Sequence, residues 1–126
     1  MRKQYHFRPS SEGLHAWDVD RLLALAAALP QEQLPLRDIL ELETAYWFDH
    51  GYEPTVRAVV EHMRLVEDAD LRYPIVVDPD GRLMDGMHRV AKALLLGHAT
   101  IAAKRLLFLP PPDHSGVQPE DLPYDR

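Results

Sequence analysis

The residues best suited to chemistry stand where an extended segment gives way to a helical repeat, at Asp85 and Gly86. His88, Arg89 and Lys92 follow, spaced so that their side chains can converge on one side of a helix. The first amides of a helix attract anions, and Gly86, which has no Cβ, lets a ligand approach the backbone. A guanidinium binds phosphate through paired hydrogen bonds, and an ammonium adds a point charge. This stretch therefore predicts a phosphate site.

The elements that must position these residues lie on both sides of them. Pro74 to Asp78 is a β-branched run typical of a buried strand, Asp78 to Gly81 has the composition of a tight turn, and Arg82 to Met84 can return as a second strand. A helix should follow and end at Gly97, which is placed for a left-handed C-cap. Its predicted buried face comprises apolar residues at helical spacing: Met87, Val90, Ala91, Leu94 and Leu95.

This pattern resembles the ParB/sulfiredoxin superfamily, whose shared signature is a Gly-x-[His/Arg]-Arg turn that opens a helix. In this chain the turn is Gly86-Met87-His88-Arg89, followed by the small residues Ala91 and Ala93. The resemblance covers roughly residues 34 to 107 and begins with Leu34 to Ile39, which is like the family's opening strand. It implies an α/β (α+β) fold, with a small mixed sheet flanked by helices.

The resemblance also implies a nucleotide-phosphate site at this turn. ParB partition proteins bind and hydrolyse CTP there, sulfiredoxin binds ATP, and an archaeal relative is a free-serine kinase that uses ADP. By this resemblance Mg²⁺ would accompany the nucleotide, an ion that takes few protein ligands. The residues implied to bind the nucleotide are Asp85, Gly86, Met87, His88, Arg89 and Lys92.

If the protein is an enzyme, the implied reaction is phosphoryl transfer or nucleotide hydrolysis. His88 is the candidate acid, because imidazole titrates near neutral pH. The kinase relative has its base on a glutamate in the region of Glu41 and Glu43, and Glu43 leads because it stands beside an aromatic segment. Sulfiredoxin has its catalytic Cys at the position of Met87, and this chain has no Cys, so sulfinic acid repair is excluded.

Each candidate also has a simpler structural interpretation. Asp85 is equally suited to cap the helix, since Asp accepts hydrogen bonds from first-turn amides. Arg89 could form a structural ion pair, Lys92 could be an exposed helix lysine, and the glutamates could simply be solvated. A lone His88 would more often be structural, but its place beside Arg89 favours the ligand role.

The densest aromatic cluster is Tyr46 to Tyr52, here called the aromatic segment. Its rings could stack on a nucleobase, at ~1–3 kcal/mol per base, or close over the site as a lid. Packing in the core or at an interface explains them as well. Asp49 and His50 either join a catalytic or metal cluster or belong to a turn before Gly51.

Composition limits the classes of function. A chain of 126 residues with a net charge of −6 fits one domain and disfavours non-specific binding to nucleic acid or anionic membrane. The seven histidines show no HxxxH or comparable pairing, so a zinc site is weakly supported. The lack of Cys, of a secretory signal and of a membrane-length apolar run predicts a cytoplasmic protein.

Three regions are expected. Residues 1–33 should form an arm or edge strand and a helix from Asp18 to Leu29, residues 34–109 the ParB/sulfiredoxin-like domain, and residues 110–126 a Pro-rich acidic tail. Within the domain we expect strands at Leu34 to Leu40 and Thr100 to Phe108, and a helix beginning at Pro54. The predicted buried face of that helix is Val56, Val59, Val60, Met63 and Val66.

Three classes of function follow. The leading one is binding of a nucleotide or phosphorylated small molecule, with or without catalysis. The alternative is a non-catalytic module that senses a nucleotide or binds a protein, for example as a homodimer through the aromatic segment or the N-terminal helix. DNA binding of the ParB type is disfavoured by the acidic balance, and we expect no helix-turn-helix domain after the resemblance ends.

Overall fold

The predicted strand–turn–strand–helix unit supplies two neighbouring strands of a four-stranded sheet, one of them at its edge, and a helix that packs on it. The structure, a computed structural model, describes residues 2–48 and 53–125. Its strands and α-helices, in chain order, are β1 (Tyr5–Ser10), β2 (Gly13–Asp18), α1 (Val19–Ala26), β3 (Gln31–Pro35), α2 (Val56–Asp68), β4 (Ile75–Val77), β5 (Leu83–Asp85), α3 (Met87–Leu95), β6 (Thr100–Arg105) and β7 (His114–Ser115).

The four-stranded sheet has the order β3-β6-β4-β5 and is mixed. β4 runs parallel to β6, and the other neighbouring pairs are antiparallel. Helix α3 packs on one face, where Val90 and Ala93 are fully buried together with Ile75 and Val77 of β4. Helices packed on mixed and antiparallel sheets confirm the predicted α+β class.

The turn and the helix end form as predicted. The amide of Asp78 donates to the carbonyl of Arg82 at 2.8 Å, which closes the turn between β4 and β5. After α3, Gly97 has φ of +79°, and the amide of His98 donates to the carbonyl of Ala93. This is the Schellman arrangement, which requires a residue that tolerates positive φ.

The predicted buried faces of α3 and α2 are both too wide. On α3, Leu94 and Leu95 are 55% and 72% exposed, whereas Ala93, outside the predicted face, is fully buried. Small side chains at Val90 and Ala93 bring α3 close to β4 and β6, so the leucines lie beyond the contact. Helix α2 packs mainly on α3 instead of the sheet, and of its predicted face only Val66 is buried. The remaining four residues of that face are exposed: Val56, Val59, Val60 and Met63.

The predicted strand at Leu34 to Leu40 is correct only at its start. After β3 the chain turns into two short 3₁₀ helices, Leu36–Asp38 and Leu40–Glu43. Leu36 and Ile39 are both buried although they are three residues apart. A 3₁₀ turn places such residues on one side, whereas a strand sends them to opposite faces.

The N-terminal residues, expected as an arm or an edge strand, form a hairpin. β1 and β2 pair with each other, and β7 joins β2 to complete a three-stranded antiparallel sheet. Trp17, Leu22 and Ala26 cover the second face of the four-stranded sheet, where Val76 and Met84 are buried. Asp18 caps α1 as predicted, but the helix ends at Ala26.

The expected region boundaries fall inside packed structure. β3 begins at Gln31, before the expected domain start, and pairs with β6 along its whole length. The tail is anchored as well, since Nε1 of Trp17 donates to the carbonyl of Pro110 at 2.7 Å. None of the helices in the described ranges is long and apolar enough to cross a bilayer.

We predict that Gly86→Ala destabilises the fold more than its matched control, Gly97→Ala. Both glycines have positive φ, +114° and +79°, which costs about 1–2 kcal/mol for a residue with a Cβ. A Cβ on Gly86 would also lie 2.6 Å from Cγ2 of Ile75, whereas nothing lies within 4 Å of one on Gly97. Overpacking adds roughly 1–3 kcal/mol to the loss in free energy of unfolding for Gly86→Ala. Urea denaturation measures both variants, and equal losses would contradict the prediction.

Candidate functional site

The start of α3 opens onto a groove of about 810 Å³, here called the first groove. Gly86, His88 and Arg89 line it, with Tyr46 and Trp47 of the aromatic segment beside them. Small-molecule sites typically measure about 300–1,000 Å³. The predicted turn therefore borders a space large enough for a nucleotide.

Gly86 occupies the N-cap position of α3, with φ of +114° and ψ of 27°, and no side chain caps the helix. The interpretation of Asp85 as the cap is therefore wrong. Asp85 is the last residue of β5, and its carboxylate accepts from Arg89 instead. Met87 packs partly buried against the core. The first-turn amides of α3 have no acceptor within the helix, and no side chain caps them.

The guanidinium of Arg89 is held by protein groups at both terminal nitrogens. Nη1 donates to the carbonyls of Tyr73 (3.0 Å) and Pro74 (2.7 Å), and Nη2 donates to Oδ2 of Asp85 (2.8 Å). The Arg89 side chain is only 16% exposed. The structure thus shows the structural ion pair at Arg89, and the phosphate contact stays a prediction.

Burial governs the charge of Asp85. It raises the pKa of this carboxyl above the ordinary value, while the charge and the hydrogen bond of Arg89 act in the opposite direction. The net shift is upward. The charge and hydrogen bond of Arg89 thus favour the ionised form of Asp85 against the effect of burial.

Lys92 does not converge with His88 and Arg89. Its Nζ donates to the carbonyls of Glu67 and Ala69, each at 2.7 Å. These carbonyls lie at the C-terminal end of α2, where a cation pairs with acceptors that the helix leaves unsatisfied. Lys92 therefore fastens α2 to α3.

His88 pairs with His62 of α2, a residue that sequence reasoning did not single out. Nδ1 of His62 and Nε2 of His88 are 2.9 Å apart, so one ring donates to the other. The indole of Trp47 stacks on both, with centroids 4.5 and 4.8 Å away. Burial lowers the pKa of both imidazoles, and the charge of His62 further lowers that of His88. No local spacing marks this pair, because its members are 26 residues apart and meet only when α2 lies along α3.

Glu41, in the second 3₁₀ helix after β3, carries the buried carboxylate of this region. Glu43 is exposed and lines neither the first groove nor the groove that Glu41 lines. Glu41 is 6% exposed, and its Oε2 accepts from Nε of Arg82 at 2.8 Å and from the amide of Leu83 at 3.1 Å. The structure thus separates Glu43, the predicted base, from the turn it was expected to serve.

Glu41 lines a second groove of about 710 Å³, which shares Tyr5, His6, Tyr46 and Trp47 with the first groove. Burial lowers the pKa of His6 to about 4, and the charge of Arg8 adds to this effect. Burial also raises the pKa of Tyr46 to about 12. Both rings are therefore neutral at pH 7, at the junction of the two grooves.

The aromatic segment is described as far as Phe48. Trp47 packs against the histidine pair, and Phe48 meets His62 edge-on with centroids 5.3 Å apart. The expectations for Asp49, His50 and Tyr52 lie outside the described residues. Among those described, no group of three or more His, Asp or Glu side chains could hold a metal ion.

We predict that Arg89→Met lowers the free energy of unfolding by about 3 kcal/mol at pH 7, because it strands a buried carboxylate. Without Arg89 the pKa of Asp85 should rise further. A group whose pKa is raised by folding loses its stabilising contribution as pH rises, so the deficit of the variant should shrink towards pH 4. Asp85→Asn combined with Arg89→Met should cost less than the sum of the two single changes. Additive losses in denaturant titrations would contradict this coupling.

We also predict that His62→Phe raises the pKa of His88 towards its ordinary value of 6.5, because the repulsion from His62 is lost while a ring remains to stack on Trp47. Proton NMR titration of the imidazole measures this. His98→Phe, at an exposed histidine beyond α3, is the control and should leave the value unchanged. A pKa of His88 that stays the same or falls in His62→Phe would refute the coupling.

Comparison of the whole chain with models of protein families gives no match, and neither curated proteins nor solved structures match it. The ParB/sulfiredoxin resemblance thus stays a prediction that rests on the turn and on the elements around it.

Proposed function

We propose that the protein binds a phosphorylated small molecule, with a nucleotide as the leading class, in the first groove. The observation that carries this proposal is the left-handed Gly86 turn without a side-chain cap at the start of α3, whose first residues line a groove of about 810 Å³. Amides at a helix start form hydrogen bonds to an anion and add the positive end of the helix dipole. A Cβ at the turn would overlap the buried Ile75, so the conformation of the turn depends on glycine.

In this proposal His88 contacts the anion and Arg89 positions the turn. Nε2 of His88 is occupied by His62, which leaves Nδ1 as the ring nitrogen that faces a ligand. Arg89 acts through structure, because its terminal nitrogens are held by Asp85 and two carbonyls. Tyr46 and Trp47 line the same groove and offer ring surface for a nucleobase.

Mg²⁺ would enter with the nucleotide. Asp85 is the carboxylate of the turn, and its Oδ2 is bonded to Arg89, so the turn itself is a poor cage for a cation. Phosphate oxygens and water supply most of the ligands of a nucleotide-bound Mg²⁺. Binding of the complex therefore does not depend on a protein metal site.

Two candidate functions share this site. One is an enzyme that transfers a phosphoryl group or hydrolyses the nucleotide, and the other is a module that binds without turnover. Phosphoryl transfer needs cations aimed at the charge that develops on the phosphoryl group. Arg89 and Lys92, the cations expected to supply it, both donate to protein carbonyls or carboxylate. This engagement favours a sensor module over an enzyme. Membership of the ParB/sulfiredoxin superfamily is part of the same proposal and is supported by the order of β4, β5 and α3.

Calorimetry with CTP, ATP and ADP, with and without Mg²⁺, and with inorganic phosphate tests the proposal. We expect His88→Ala to weaken binding of the best nucleotide about tenfold, the effect of losing one hydrogen bond to a charged group. His98→Ala, at an exposed histidine outside the first groove, should bind like the unaltered protein. Absence of binding by all four anions would overturn the anion site.

Product analysis separates the two candidates. Release of phosphate or of a nucleoside diphosphate that disappears in His88→Ala would establish an enzyme. Saturable binding with no product over hours would establish the sensor module.

A further inference from the structure

The second groove contains a carboxylate that the fold leaves half satisfied. Oε2 of Glu41 accepts from Arg82 and from the amide of Leu83, whereas Oε1 is buried without a hydrogen-bond partner among the described residues. The side chain is 7% exposed. A buried acceptor without a partner is costly, so a donor brought by a ligand would bind there with unusual benefit.

Arg82 supplies the complementary group. Its Nε is bonded to Glu41, its side chain is 47% exposed, and it lines the same groove. A guanidinium carries donors on its two terminal nitrogens as well, in a fixed fork beside Nε. At one edge of the second groove, guanidinium donors therefore lie beside a buried acceptor.

The charges of this groove favour a neutral ligand. Arg82 is paired with Glu41, and Arg8 is paired with the buried Asp78 at 3.0 Å. An ammonium would bring three N–H donors to a single free oxygen, and two would be left unpaired in a buried place. A hydroxyl group donates one hydrogen bond and also accepts from a guanidinium, so it matches both neighbours.

We propose that the second groove binds the vicinal diol of a sugar, with one hydroxyl donating to Oε1 of Glu41 and its neighbour accepting from Arg82. Phe7, Tyr46 and Trp47 line the groove and can cover the apolar face of the sugar ring. Because Oε1 is itself buried, the hydroxyl reaches it when a lining side chain shifts while Nε of Arg82 stays bonded to Oε2.

The diol could belong to a free sugar or to the ribose of a nucleotide, since the two grooves share Tyr46 and Trp47. Only the nucleotide source rests on the proposed function. Two matched pairs of probes distinguish the sources: methyl β-ribofuranoside against its 2-deoxy analogue, and ATP against 2′-deoxy-ATP. The amide of Leu83, which donates to Glu41, reports occupancy in two-dimensional NMR spectra.

We expect the unaltered protein to bind the diol member of at least one pair about tenfold more tightly, as one hydrogen bond to a charged group provides. Glu41→Gln, which turns the free acceptor into a donor in the pose that keeps Arg82 bonded, should abolish that preference. Glu43→Gln makes the same change at an exposed residue of the same 3₁₀ helix and should keep it.

Equal binding within both pairs would overturn the inference, and so would a preference that survives in Glu41→Gln. The probe comparison on the unaltered protein decides the matter even if the Glu41 variant does not fold. Inorganic phosphate binding, measured alongside, belongs to the first groove alone. A ribose preference without phosphate binding would leave the diol site standing and remove the anion site.

Discussion

The ion pair between Arg89 and Asp85 is the interaction on which the unit of β4, β5 and α3 depends. It joins the first turn of α3 to the end of β5, and the same guanidinium reaches the carbonyls of Tyr73 and Pro74 where the chain enters β4. The entry to β4 and the turn from Asp85 to Arg89 are thereby fixed together around Gly86. Burial opposes the charge on Asp85. Removing either partner would therefore leave the other as an unpaired buried charge and lower the free energy of unfolding.

This arrangement bears on the proposed anion site. Because Arg89 and Lys92 donate to protein groups, an anion bound there would be held by the backbone amides of α3 and by His88. His88 in turn is set by His62 and Trp47, which stack and bond with it from α2 and the aromatic segment. The contact between α2 and α3 thus positions His88. The hydrogen bonds from Lys92 to carbonyls at the C-terminal end of α2 stabilise the same contact.

Much of the fold could be predicted from local chemistry. The β-branched run of β4, the Asp78 turn and the Gly97 helix end each depend on a few neighbouring residues, and all three form as expected. The buried faces of α2 and α3 could not be predicted as well, because periodicity tells which side is apolar and not how much of it a neighbour covers. The early end of β3 could not be predicted either. Burial of Ile39 on the same side as Leu36 needs a 3₁₀ turn, which strand propensity does not indicate.

The sequence by itself determined the turn, its glycine and the set of polar residues around it, since backbone conformation at Gly86 is a local matter. Only the tertiary structure decided the partner of each polar side chain. In the folded chain Arg89 pairs with Asp85, and Lys92 donates to the C-terminal end of α2. His88 bonds to His62, and Glu41 is buried whereas Glu43 is exposed. The physical reason is that a long side chain bonds to whatever groups folding brings within reach, and those groups come from distant parts of the chain.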